Sequence, residues 1–492
     1  MRRVFAVLAL VGILGAGLGA ATLVAPARGV TGASCTEAKR AASKAALAAF
    51  TRSLAARQKA FNRTHKQPKD RATFARNQRA TLERLRAAAA CTVQTTAVTT
   101  TEPGTTTVVT TISVPTPTTV PTTGNACVPS LDPAGNPTNG AGTLRDAGVH
   151  GLGSLHAVML FVDFPDAPAT ETTRSLYDVL APGSVRNYSS QSFGRLTLQI
   201  DEVPHWYRMS RNSSGYGLSR ASGTTFEQHR AYMQEAVSHA DADVDFRGYQ
   251  IVYVVSTSNA KAIDFSPAFV APRDSSGTWG LKADGIVIYG GATFGTDLHG
   301  KHILEHETGH VFGLPDYYDG RGGITDWHQL FHFAGAWSIM SAGEPVGGEF
   351  FAWDKYREGW IDPPQIRCQD EQGSMTQTLT PVETAGGLKM IVAKTGPSTA
   401  YVAEVRSLAG GDANMCSSGV LVYALDARVL SSAGPLQVET PHPGTDLAKI
   451  AQCNTLYDAP LRSGESWEDS SVRVEVLSPG PNGSFNVRVT RK

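Results

Sequence analysis

Three side chains able to hold a metal and one able to move a proton fall in a single short run, His306-Glu307-Thr308-Gly309-His310-Val311-Phe312-Gly313-Leu314-Pro315-Asp316. Residues four apart on an α-helix are turned by about 40° and raised by about 6 Å, so His306 and His310 project from one face. Two imidazoles at that spacing can share one ion, and Glu307, set to the side of the pair, can reach a water held there. Gly313 lets the backbone leave the helix sharply and Pro315 cannot continue it. That bend can bring Asp316 back as a third, anionic ligand. The chemistry implied is hydrolysis by a zinc-bound water with Glu307 as general base. A helical histidine pair also occurs as an ordinary surface or core feature; the continuation through Gly313 and Asp316 weighs against that reading. Rival third ligands are Asp319, Glu344 and Glu305, the last pointing about 100° from the pair. His299 and His302 are near, with His302 expected on the helix surface or behind the ligands.

The elements that must position these residues can be read from periodicity. A helix over about 298–312 carries the pair. Before it, 156–162 reads as a buried strand, 196–200 alternates as a strand, and 225–240 reads as a helix. Stretches 250–256 and 285–289 read as further buried strands. Strands followed by an active-site helix make an α+β pattern. After Trp360, Pro363 and Pro364 punctuate the chain. Short apolar runs then recur at 390–393, 401–406, 419–423, 472–477 and 485–489, separated by Gly, Pro, Asn and Ser. That is the pattern of a β-sandwich-like domain.

The string HETGHVFGLPDYYD resembles the H-E-x-x-H-x-x-G-x-x-D signature of the M6 metallopeptidases, the immune inhibitor A group. Further segments resemble the same family in the same order: Phe161 to Asp166, Asn187 to Tyr207, Val244 to Phe246, Trp337 to Ser341, Ala352 to Lys355 and Gly359-Trp360. Weaker similarity runs through Tyr401 to Arg406 and Gly419 to Tyr423, so the likeness spans roughly 155 to 430. The resemblance implies a zincin/metzincin-like catalytic domain with one catalytic zinc held by His306, His310 and Asp316. It also implies a protein or peptide substrate, and a Met-turn in which Met340 packs beneath the ligands as an apolar floor. Metzincins that place a tyrosine soon after this methionine have an oxyanion donor there; here Ser341-Ala342-Gly343 follows. Tyr317 and Tyr318 are the nearest alternatives, with packing as their ordinary role.

The whole chain of 492 residues is long enough for two to four domains, and its 44 basic and 44 acidic residues give no global charge pointing to nucleic acid or membrane. Met1-Arg2-Arg3, an apolar run from Val4 to Leu14 and Ala25-Pro26-Ala27 read as a signal peptide over 1–27, and hence a secreted or cell-surface protein. An uncleaved anchor is the alternative. Residues 34–91 read as a helical hairpin broken at His65 to Asp70, with fourteen Lys/Arg against three Asp/Glu. Such a surface suits an anionic cell-wall or lipid partner, a pro-segment contact, or plain solvation. The Thr/Pro-rich stretch 92–124 reads as a disordered stalk. The catalytic domain is expected over 125–362 and the β-rich domain over 363–492.

The six cysteines contain no C-x-x-C pair and suit three disulfides in an exported protein. Cys35 and Cys91 lie at the open end of the hairpin. Cys416 with Cys453 staples the β-rich region, leaving Cys127 with Cys368. The acidic loops 163–166 and 316–319 are weak candidates for structural calcium. No Ser-His-Asp elbow, P-loop or dinucleotide fingerprint is present. The expected function is a monomeric, secreted zinc metalloendopeptidase. The rival is a cell-surface binding protein that keeps the scaffold without turnover, against which the intact Glu307 argues.

Overall fold

The structure is a computed structural model. It describes Thr51, 128–129 and 149–492, except 222, 274–276, 298–301, 322–326, 342–347 and 443–455. The chain divides into two units, Met1–Pro115 and Thr116–Lys492. Of the first, Thr51 is helical and exposed. The expected signal peptide, the remainder of the hairpin, the stalk, and Cys35, Cys91, Cys127, Cys453, His299 and Glu344 lie outside the described residues. All that follows concerns the second unit.

That unit is a mixed α/β structure with many strands and few helices. Strand β1 (Gly153–Asp163) is flanked by parallel neighbours β2 (Leu196–Arg208) and β3 (Ile251–Ser256). Helix α1 (Thr173–Gln191) joins β1 to β2, and helix α2 (Phe226–Ala240) precedes β3. Thr225 starts α2 by accepting from Gln228 N–H while the Gln228 side chain returns to the Thr225 backbone, a capping box. Successive side chains of β1 feed opposite cores. Ala157, Met159 and Phe161 pack on the side of α1 and the histidine helix. Val158, Leu160 and Val162 pack with Tyr232, Met233 and Val237 of α2. A strand covered on both faces has no polar alternation, which is why 157–162 is continuously apolar.

Three short strands come next in the chain. The edge strand β4 (Ala268–Val270) lies in this sheet, and β5 (Leu281–Ala283) turns at Asp284-Gly285 into β6 (Ile286–Ile288). Strand β7 (Gly290–Phe294) then pairs parallel with β3 and antiparallel with β4. The sheet order is therefore β2-β1-β3-β7-β4, with the antiparallel strand β4 at one edge. Helix α3 (Ile303–Val311), which carries the histidines, packs on β7 and β4.

The C-terminal strands form two sheets. One is ordered β13-β12-β11-β10-β8: Leu436–Glu439, Gly419–Asp426, Thr399–Arg406, Met390–Lys394 and Ile366–Gln369. The other is β14-β15-β16-β9: Ser466–Glu468, Val472–Pro479, Phe485–Arg491 and Gly373–Leu379. Ile391, Val405, Val420 and Val422 meet Val474, Val476, Val487 and Val489 between them, a sandwich. The opposite face of the first sheet, through Val392, Val402, Leu421 and Tyr423, joins the core of the histidine helix. The core around the histidine helix thus continues across 362/363 into the first C-terminal sheet, while the two C-terminal sheets enclose a core of their own. Cys368 and Cys416 are disulfide-bonded, and no described cysteine is free. Both expected partners, Cys127 and Cys453, are outside the described residues. Among the described residues no helix is long and apolar enough to cross a membrane.

Helix α4 (Ala352–Arg357) lies wholly within this shared core. Just past it, Glu358 is buried, and burial pushes its carboxyl from the ordinary 4.5 up to about 8, against the opposing Arg357 charge. The folded state keeps a proton that the unfolded chain sheds above about pH 4.5. The corresponding stability is full below that pH and is lost as pH rises through 8. Glu358→Gln is expected to fall less in unfolding free energy than the parent between pH 5 and 8. Urea titration across that range measures it.

Candidate metal centre

Helix α3 ends in a left-handed turn. The Gly313 N–H donates to His310 O and the Leu314 N–H to Gly309 O, with Gly313 at φ 98°. This is a Schellman cap, whose residue at positive φ is ordinarily glycine. The cap reverses the chain, Pro315 stops any return to helix, and Asp316 arrives facing the two histidines. Asp316 Oδ1 lies 3.1 Å from His306 Nε2 and 3.0 Å from His310 Nε2. The ligand-capable atoms of the three residues all fall within 4.8 Å of one another. Among the described residues this is the one cluster of three such groups.

The other ring nitrogens are spoken for. His306 Nδ1 is 2.7 Å from the Ile339 carbonyl and His310 Nδ1 is 2.7 Å from the Leu314 carbonyl. A carbonyl can only accept, so each Nδ1 carries a proton and the neutral ring presents its lone pair at Nε2. Two neutral imidazoles and one carboxylate, oriented from behind by backbone carbonyls, are the donor set of a catalytic zinc site. The residues present fit that ion.

The electrostatics agree with the geometry. Burial alone would raise the Asp316 carboxyl, but the two imidazoles outweigh it and hold it well below the usual carboxylate range. Burial disfavours the His310 cation, yet Asp316 pushes the ring up to about 9. The site is therefore built to keep positive charge beside one carboxylate. Glu307 is buried, its carboxyl raised by burial and partly offset by both histidines, and the Ala268 N–H of β4 donates to it.

Met340 is fully buried beneath α3. A Cβ at Gly309 would sit 2.4 Å from the Met340 sulfur, so any larger residue there would force the buried methionine to shift. The Met340 carbonyl accepts from Tyr317 N–H at 2.7 Å, tying the loop after the cap to the same segment.

The remaining expected candidates fall elsewhere. The Asp319 carboxylate is held low chiefly by Arg321 and also meets His332. Buried Glu305 pairs with His302. Tyr317 points into the core, its hydroxyl 2.5 Å from Asp354 Oδ1. Tyr318 instead stands at the site, its ring stacked 6.2 Å from that of His306. The acidic loop 163–166 is engaged internally, Asp163 by Arg208 and Asp166 by Ser213. The sequence does not point to Ser431 and Ser432, whose hydroxyls both meet Asp316 Oδ2, because they lie more than a hundred residues away.

Neither known protein families nor curated proteins give a match to this chain.

A metal that takes Nε2 of both rings must displace the protons that the metal-free site retains. Below pH 9, zinc binding is expected to release at least one proton, so apparent affinity should climb by roughly tenfold per pH unit and flatten near 9. Calorimetry in buffers of different ionisation enthalpy measures the release. Affinity independent of pH between 6 and 8 would contradict the ligand assignment.

Proposed function

We propose that this chain is a secreted zinc metalloendopeptidase with a zincin/metzincin-like catalytic region, related in design to the M6 group that its signature resembles. The observation that carries the reading is the convergence of His306 Nε2, His310 Nε2 and Asp316 Oδ1 within 4.8 Å, with Glu307 buried alongside. When bound, zinc would polarise a peptide carbonyl and lower the pKa of a water towards about 7. In that arrangement Glu307 would take a proton from the attacking water as general base and would deliver it to the departing amine. The Ala268 N–H holds the Glu307 carboxylate in place between these two transfers.

The substrate class follows from the strand that supplies this donor. Among the described residues β4 is hydrogen-bonded to β7 on one side only, leaving an antiparallel edge next to α3. An extended peptide can add there as a further strand, with backbone hydrogen bonds that are indifferent to sequence. Such binding places an internal peptide bond at the metal and suits an endopeptidase. Export is supported by the signal-like residues 1–27.

Glu307→Gln is expected to hold about one zinc per chain, as the parent does, and to lose about 10²–10⁴-fold in kcat/KM on a denatured protein such as casein. A parent that holds zinc and cleaves nothing would sink the peptidase reading. A folded parent that holds no zinc would sink the metal site itself.

A further inference from the structure

The loop between β12 and β13 reaches across to the histidine helix and grips Asp316 at three points. Ser431 Oγ accepts from the Asp316 N–H at 2.8 Å and donates to Asp316 Oδ2 at 3.0 Å. Ser432 Oγ donates to the same Oδ2 at 3.0 Å, and the Ser432 N–H donates to the Asp316 carbonyl at 3.1 Å. A carboxylate oxygen has two lone pairs in its plane, and the two serine hydroxyls are placed to occupy both on Oδ2; the Tyr318 hydroxyl also bonds to Asp316 and to Ser432. Oδ1 receives neither hydroxyl and faces the two imidazoles.

The loop is strained into this arrangement. Ser432 has φ 61°, a left-handed conformation usual for glycine, within a turn closed by the Ala433 N–H donating to Leu430 O. Gly320 passes so close that a Cβ there would lie 2.8 Å from Ser432 Cβ, and its N–H donates to Ser432 O at 2.9 Å. A serine kept where glycine is easier retains the one thing glycine lacks, the hydroxyl on Oδ2.

We infer that Ser431 and Ser432 are positioning residues of the metal centre: by saturating Oδ2 they confine Asp316 to a single bond through Oδ1, so that the third ligand leaves a coordination position free for water. The C-terminal sheet thereby completes the site rather than merely flanking it. The inference rests on the zinc reading above but not on turnover, and it is tested by metal binding alone.

The full chain is titrated with zinc against a chelator, and with cobalt(II) as a visible-absorbing probe. Ser431→Ala and Ser432→Gly are each expected to weaken zinc by about 10–100-fold, the usual effect of losing a group that orients a ligand. Ser432→Gly also relieves the positive φ, so its loss cannot be assigned to backbone strain. Ser431→Thr, which keeps the hydroxyl, is expected to bind as the parent does. With both hydroxyls removed, the cobalt spectrum should change from a strong four-coordinate band to a weaker five-coordinate one as Oδ2 is released to the metal. Unchanged affinity and spectrum in folded Ser431→Ala and Ser432→Gly would overturn the inference. So would equal weakening by Ser431→Thr. Normal zinc binding without peptide cleavage would leave the inference standing and remove only the peptidase reading. A parent that binds no zinc would overturn both.

Discussion

The constraint on which this molecule turns is the meeting of one carboxylate with two imidazoles in a buried place. A helix can set two rings on one face, but it cannot supply the third donor at the same level, because its own residues diverge by about 100° per step. The third group has to come from chain that has left the helix and doubled back. Gly313 at φ 98° makes the reversal, and Pro315 makes it irreversible. Once Asp316 is there, its desolvation is offset by the two imidazoles it faces and by the serine hydroxyls on its far oxygen. Removing either partner leaves an uncompensated buried ion, which is far costlier than the pair is favourable.

Both sides of that meeting are braced from the same distant sheet. Arg406 of β11 is fully buried, pairs with Asp412 and Glu404, and donates to the Trp337 carbonyl at 2.7 Å. Two residues further on, the Ile339 carbonyl receives His306 Nδ1, and Met340 follows beneath Gly309. Glu404 in turn accepts from the Ala352 N–H at the start of α4 and from the Tyr423 hydroxyl. A buried cluster of this kind contributes little net stability, since several ions have been taken out of water. What it fixes is register: Asp412 and Glu404 set the Arg406 guanidinium, and the segment 337–341 cannot slide without losing its hydrogen bond to that group. The hydrophobic floor and the polar brace thus act on the same five residues.

Much of this was legible in the sequence where cause is local. Within the strands read at 156–162, 250–256, 390–393 and 419–423, the runs 157–162, 251–255, 390–393 and 420–423 are apolar without interruption because both faces of their sheets are covered. Helix α2 announces itself by Thr225 and Gln228, three apart. The histidine helix proves shorter than its apolar pattern suggests, beginning at Ile303 rather than near 298. Helix α1 contains Pro182 and Gly183, both poor helix formers, yet continues through them under the packing of Leu180, Ala181 and Tyr188. The stretch 285–289, read as one buried strand, is instead the short half-buried β6, Ile286–Ile288, entered by a turn at Asp284-Gly285 with both residues at positive φ. His306, Glu307, His310 and Asp316 could be named in advance because helix geometry and one cap bring them together. Ser431 and Ser432 could not, since nothing in a four-residue turn between strands states which carboxylate it will meet.

That difference follows from how a metal centre divides its labour. Donor atoms must be close to one another and benefit from rigid, local geometry, so they cluster on one helix and its cap. The groups that orient the donors need only reach their far sides, and any part of the fold that packs there can supply them. In this chain that part is the sheet after residue 363, reached through a core that runs unbroken from Met159 and Trp337 to Val402 and Tyr423. A cut at 362 would remove Arg406, Ser431 and Ser432 together while sparing every donor atom. The ligand set would survive in sequence, but Ile339 would lose its brace, Asp316 would be free to rotate, and the apolar faces of β1 and α4 would lie open to water. The site is therefore a property of the whole second unit, and the short motif that marks it is the part for which a helix alone is sufficient cause.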